Sequence, residues 1–213
     1  MTAKELREAY INSLNIAFAP IGMTRVSKSI FAETRDKIIW RGIYVSFHSK
    51  WGVLNSQPSL AVFCPSAEKI VSDCLSHIYS THKRTPFFGK MGLPVLTHPL
   101  YDLAYRQFGK DRRPYSYGAS ELEQIGDRVQ LIRDDFALAR EAFLEASSSL
   151  ESLKDRLLRD WAPGARMYAI AVAYLLSSQI NAGEVGRLLG SNPNPMSQEF
   201  ANYFIKTRIG GTK

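Results

Sequence analysis

The chain has 213 residues, 45% of them hydrophobic and 11% aromatic, enough to build one large core or two small ones, which excludes a chain disordered throughout. Its formal net charge is +7 and is unevenly spread: residues 1–118 carry 16 Lys+Arg against 8 Asp+Glu, and residues 119–213 carry 11 against 12. A basic first half is the footprint either of an anionic partner such as nucleic acid or of a Lys/Arg-rich solvated surface. The two cysteines, Cys64 and Cys74, cannot make a four-ligand zinc site and read as free, partly buried thiols of a reducing compartment. Charges at Lys4, Glu5, Arg7 and Glu8 argue against a signal peptide, and the apolar stretch 167–176 is too short to span a membrane. The expectation is a cytoplasmic protein without a membrane partner.

In chain order, Leu6, Tyr10, Leu14, Ala17 and Ile21 recur at helical spacing until Pro20 and Gly22 end the run. Strands are expected at 29–33, at 37–48 (KIIWRGIYVSFH, rich in β-branched and aromatic residues) and at 59–64, with a turn at Arg35-Asp36 and a loop over 52–58. Ser66 is a candidate N-cap for a helix to about Tyr79 that buries Ile70, Val71, Cys74, Leu75 and Ile78. Pro86, Gly89, Gly92, Pro94 and Pro99 punctuate the next stretch, which leaves a short strand at 93–96 and a helix at 100–108.

The second half is helical. Ile125, Val129, Ile132, Phe136, Ala139, Phe143, Ala146, Leu150, Leu153 and Leu157 alternate steps of four and three, the period of a coiled-coil seam. An unbroken helix over 120–161 would be about 60 Å long, and Ser147-Ser148-Ser149 are the place where it would fold back instead. Shorter helices follow at 165–179, 182–189 and 197–205, the last using Phe200, Tyr203 and Phe204. The fold class is therefore α+β: a small antiparallel sheet with flanking helices, then a helical region. The boundary is placed between a basic α/β domain, 1–118, and a helical region, 119–213.

Chemistry-bearing motifs are sparse. His48, His77, His82 and His98 have no metal-ligand spacing, and no phosphate loop, dinucleotide fingerprint or GxSxG turn is present. No cofactor or metal is expected. Glu33, Asp36 and Lys37 are the nearest approach to a metal-dependent nuclease cluster, and His48 with Lys50 the least poor catalytic pair. The basic segment is more informative. Lys83, Arg84, Lys90, Arg106, Lys110, Arg112 and Arg113 are interleaved with Phe87, Phe88, Tyr101, Tyr105, Phe108, Tyr115 and Tyr117. Cations beside rings are what single-stranded nucleic acid requires, and Tyr and Phe also serve to pin a loop to a core. The segment INAGEVGRLL, 180–189, lacks the second helix of a helix-turn-helix because GSNPNP interrupts it.

Phe18, Ile21-Gly22-Met23, Arg25 and Phe31, followed by the 38–47 strand and Leu60–Phe63, resemble small bacterial α/β domains of the immunity type over about a third of the chain. That resemblance implies a helix, a glycine turn and a meander, and it carries over no functional residues. Together these readings lead to a non-catalytic bacterial accessory protein that contacts a protein partner or a second copy of itself. Its seam would be Ile125, Val129, Ile132, Phe136, Phe143, Leu150, Leu153 and Leu157. The alternatives are a nucleic-acid-binding module over 83–117 and a metal-dependent nuclease.

Overall fold

A computed structural model describes residues 2–27, 29–33, 38–50, 52–81, 94–113, 115–145, 148–160, 164–191 and 193–210, with backbone alone at 50 and 142–145. The chain divides into two compact units, each built from two stretches of sequence: residues 1–62 with 97–145, and residues 63–96 with 146–213. The expected α+β class is observed. The expected boundary at 118/119 is not, because the first unit takes a helix from the second half and the second unit takes one from the first.

The first unit opens with α1 (Ala3–Phe18), started by a reciprocal capping box. Thr2 Oγ1 accepts from the Glu5 amide at 3.2 Å, and Glu5 Oε2 accepts from the Thr2 amide at 2.7 Å. Those bonds, the backbone one first, hold the Glu5 carboxyl below its ordinary range. A 3-10 turn at Ala19–Ile21 ends in Gly22, whose φ of 78° suits a residue without a Cβ. The chain then forms β1 (Thr24–Ser27), β2 (Ile30–Ala32), β3 (Trp40–Lys50), β4 (Val53–Phe63) and β5 (Leu96–Pro99), an antiparallel sheet in simple order β1-β2-β3-β4-β5. Helices α3 (Leu100–Phe108) and α4 (Ile125–Glu145) complete the unit, α4 packing on both α1 and α3.

Strand β1 has no strong apolar alternation and was not foreseen. The expected loop over 52–58 is strand instead, and its burial follows the period of a half-buried strand: Leu54, Ser56 and Pro58 are buried while the residues between them are not. The core joins Leu6, Tyr10, Ile11, Leu14 and Phe18 of α1 to Phe31, Ile43 and Val45 of the sheet and to Ile125, Val129, Ile132 and Phe136 of α4. Phe18 sits at its centre, its ring centroid 5.9 Å from that of Phe31 and 5.4 Å, edge-on, from that of Phe136.

The second unit is helical: α2 (Pro65–Thr81), α5 (Leu150–Arg159), α6 (Ala165–Leu176), α7 (Ala182–Leu189) and α8 (Pro195–Phe204), closed by a π-helical turn at Ile205–Ile209. Helix α6 is central and meets α2, α5, α7 and α8. Its Ala169, Ala171 and Ala173 are buried with Ile170 and Val172, small side chains that let neighbouring helices approach. Helix α2 starts one residue before the expected Ser66 cap, with Pro65 in a first-turn position where its missing N–H costs nothing. Ser149, Asn181 and Asn194 cap α5, α7 and α8. The expected unbroken helix over 120–161 is thus two helices in different units. Helix α4 ends at Glu145, and Ser149 takes the N-cap of α5.

Cys64 and Cys74 are buried and unbonded. Burial pushes both thiols up, Cys74 to about 11. Neither should react with Ellman's reagent in the folded protein at about pH 8, and both should react once it is unfolded; rapid labelling of the native chain would contradict their burial. The folded state holds the Cys74 proton more tightly than the unfolded state does. Stability from this site is therefore complete below about pH 9 and is lost as pH rises towards about 11. A second prediction concerns the β2–β3 register, in which Ala32 faces Gly42. A Cβ built on Gly42 would lie 2.2 Å from the Phe31 carbonyl oxygen, a backbone atom. Gly42→Ala should cost about 1–3 kcal/mol, read from the urea midpoint, and a variant as stable as the parent would show that this register is not held.

Candidate binding surface

Helix α3 ends in a glycine αL cap. The Lys110 amide donates to the Ala104 carbonyl at 3.0 Å and the Gly109 amide to the Tyr105 carbonyl at 3.1 Å, with Gly109 at a φ of 62°. The described residues that follow it, 109–113 and 115–119, form no helix and are tied at many points. The Arg113 amide donates to Ser116 Oγ at 2.8 Å and the Ser116 amide to the Arg113 carbonyl at 2.9 Å. Ala119 exchanges both backbone hydrogen bonds with Leu54 of β4. Between these ties Tyr117 is fully buried. Its carbonyl accepts from the Tyr10 hydroxyl of α1 at 2.6 Å, and its own hydroxyl donates to Asp135 Oδ2 of α4 at 2.9 Å.

Asp135 is 1% exposed and is the anchor of the group. Arg112 meets it with two donors, Nε to Oδ2 at 2.7 Å and Nη2 to Oδ1 at 3.4 Å, the fork geometry that carboxylates favour. That hydrogen bond, ahead of the opposing effect of burial, raises the Arg112 guanidinium above its ordinary value. Burial raises the Tyr117 hydroxyl, and the Asp135 charge and hydrogen bond add to it; burial likewise raises Tyr10. Both phenols therefore remain protonated donors.

Above this anchor lies an open cleft of about 510 Å³ lined by Tyr101, Asp102, Tyr105, Arg106, Arg112 and Arg113. Tyr105, which lines it, is turned to solvent at 55%; Phe108, one turn further along α3, and Tyr115, at 69%, are exposed as well. The charges are largely spent locally. Arg106 pairs through Nε with Asp102 Oδ1, which also lies near His98 through Oδ2, and Arg113 meets Asp111 at 3.5 Å.

Of the basic-aromatic residues expected to meet nucleic acid, Arg106, Lys110, Arg112, Arg113 and Tyr115 belong to α3 and the segment that follows it, with Lys110 and Tyr115 exposed. Lys83, Arg84 and Lys90 lie outside the described residues. Arg112 differs from the others: it pairs with a buried carboxylate, and its side chain is 21% exposed. The helical seam is a correction. Ile125, Val129, Ile132 and Phe136 are core of the first unit, Leu153 and Leu157 are core of the second, and Leu150 is half-buried; the Phe143 side chain is outside the described ones. The seam is consumed within the chain because α1 and α6 supply its partners.

Glu33, from the acidic turn, accepts from Arg140 Nη2 at 2.8 Å and pairs with Arg41 at 3.6 Å, whereas Asp36 and Lys37 are outside the described residues. His48 is exposed on β3, and the Lys50 side chain is not described. His77 stacks on Tyr203 at 4.3 Å within the second unit, and His82 is not described. Among the described residues no three His, Cys, Asp or Glu side chains form a metal-binding group, and no helix is long and apolar enough to cross a membrane.

No family model, no curated protein and no solved structure matches the chain.

Removing the anchor should be costly. Asp135→Ala leaves the Arg112 charge and the Tyr117 hydroxyl without their acceptor and should cost about 3–5 kcal/mol, whereas Tyr115→Ala at the exposed rim should stay within about 0.5 kcal/mol. Equal denaturation midpoints for the two variants would remove Asp135 from this role.

Proposed function

We propose that the protein is a non-catalytic binding protein that engages a protein partner through the α3 cleft. The observation that supports this is the exposure of Tyr105 in a cleft whose guanidinium groups are already paired with carboxylates. Tyr and Arg are the residues that carry most energy at protein interfaces. A nucleic-acid surface draws its affinity from unpaired cations that replace counterions on phosphate. Here Asp102, Asp111 and Asp135 stand against Arg106, Arg112 and Arg113, and Lys110 has no acidic partner among the described residues. An immunity-type role fits a protein that acts by occupying its partner, and a bacterial, cytoplasmic setting belongs to the same reading.

Photocrosslinking in the native host tests it. Benzoylphenylalanine in place of Tyr105, and separately of Tyr101, both of which line the cleft, should trap one and the same protein. The same probe in place of Ile16, which is 74% exposed on α1 and outside the cleft lining, should not trap it. Equal trapping from all three positions, or crosslinks to nucleic acid at the cleft, would overturn the proposal.

A further inference from the structure

We infer that the segment seated in the α3 cleft presents a single Asp or Glu carboxylate flanked by apolar or aromatic side chains. This rests on the binding reading above and specifies its ligand.

The cleft has donors to spare but little net charge. A guanidinium carries five N–H donors. Arg112 spends Nε and one Nη2 donor on Asp135, while its Nη1 reaches only the Asp111 carbonyl, at 3.5 Å. Arg106 is engaged through Nε alone, and Arg113 through Nε at the long distance of 3.5 Å, so the Nη groups of both hold no partner among the described residues. Unused N–H donors arranged in forks match a planar carboxylate, which accepts two parallel bonds.

The number of negative charges the cleft can take is limited. A chain of phosphates or a run of acidic residues would meet Asp102 and Asp111 at the same surface, the latter side chain 87% exposed. One carboxylate instead finds Lys110 uncommitted and can displace Asp111 from its loose contact with Arg113. Its apolar flanks would lie against Tyr101 and Tyr105, which line the cleft. The site is also ordered in advance. Asp135 fixes Arg112, and the ties along 109–119 fix the loop, so little conformational freedom is lost on binding.

The test pans phage-displayed random dodecapeptides against the full chain and measures the enriched peptides by calorimetry on the parent, Tyr105→Ala and Arg113→Gln. Enriched peptides should carry one Asp or Glu next to an aromatic or aliphatic residue. Replacing that acid by its amide should weaken binding about tenfold, Arg113→Gln should do the same, and the two changes together should add little more. Acid-free peptides whose binding is still lost with Tyr105→Ala would overturn the carboxylate and leave the cleft reading standing. No enrichment, or peptides that bind Tyr105→Ala as tightly as the parent, would overturn both. Peptides with acidic runs that a labelled oligothymidine displaces would mark a polyanion surface and overturn both as well.

Discussion

The carboxylate of Asp135 is the constraint on which the first unit's irregular half depends. Burying such a charge costs several kcal/mol unless its acceptor sites are filled. Here Arg112 and Tyr117 fill them from a segment with no regular structure of its own. That segment gains its shape in return: Tyr117 carries the tie on to α1 through Tyr10, and Ala119 carries it to β4 through Leu54. One buried charge thereby holds together a helix, a loop, a second helix and a strand edge. The exposed cleft is the outer surface of this arrangement, with Arg112 belonging to both. The same side chain that satisfies the core presents its remaining donors to solvent.

Regular elements with strong periodicity were legible. Helices α3 and α7 fall where the residues placed them, α1 and β3 fall within a few residues, and the buried positions of α4 match the apolar spacing. The heptad run misleads only about its partner, since a 4-3 spacing states that a helix has an apolar stripe and not what covers it. In α4 the stripe is covered by α1, and in α5 by α6. The interleaving of the two units was not legible for a related reason. Amphipathic faces on α2 and α4 record that each packs on something, and the choice of sheet or helix bundle is made by tertiary contacts that leave no local mark.

The candidate surface was half legible. Rings and cations over 101–117 were visible as composition, but the pairing of Arg112 with an aspartate 23 positions away was not. A signal existed in the helix itself. Asp135 lies three residues after Ile132 and four before Ala139, on the stripe that turns inward. An acid on an apolar stripe demands a buried partner, so this residue announces that a distant cation or hydroxyl must reach it. Reading Arg112 as a solvent-facing cation missed that demand.

Charge counted along the chain and charge counted over folded units also diverge. By sequence halves the excess is all in residues 1–118. By units, the first holds 15 Lys+Arg against 13 Asp+Glu and the second 12 against 7. The difference arises because residues 119–145, with 7 Asp+Glu against 3 Lys+Arg, count with the first unit, while residues 63–96, with 4 Lys+Arg against 2 Asp+Glu, count with the second. Even in the second unit part of the excess is used internally, with Lys69 and Arg208 sharing Asp73. The field that a partner meets is set by which cations remain unpaired after folding. At the α3 cleft that remainder is small and the aromatic area is large. Under the binding proposal, recognition there would depend on the shape and hydrogen-bonding geometry of the incoming group more than on its total charge.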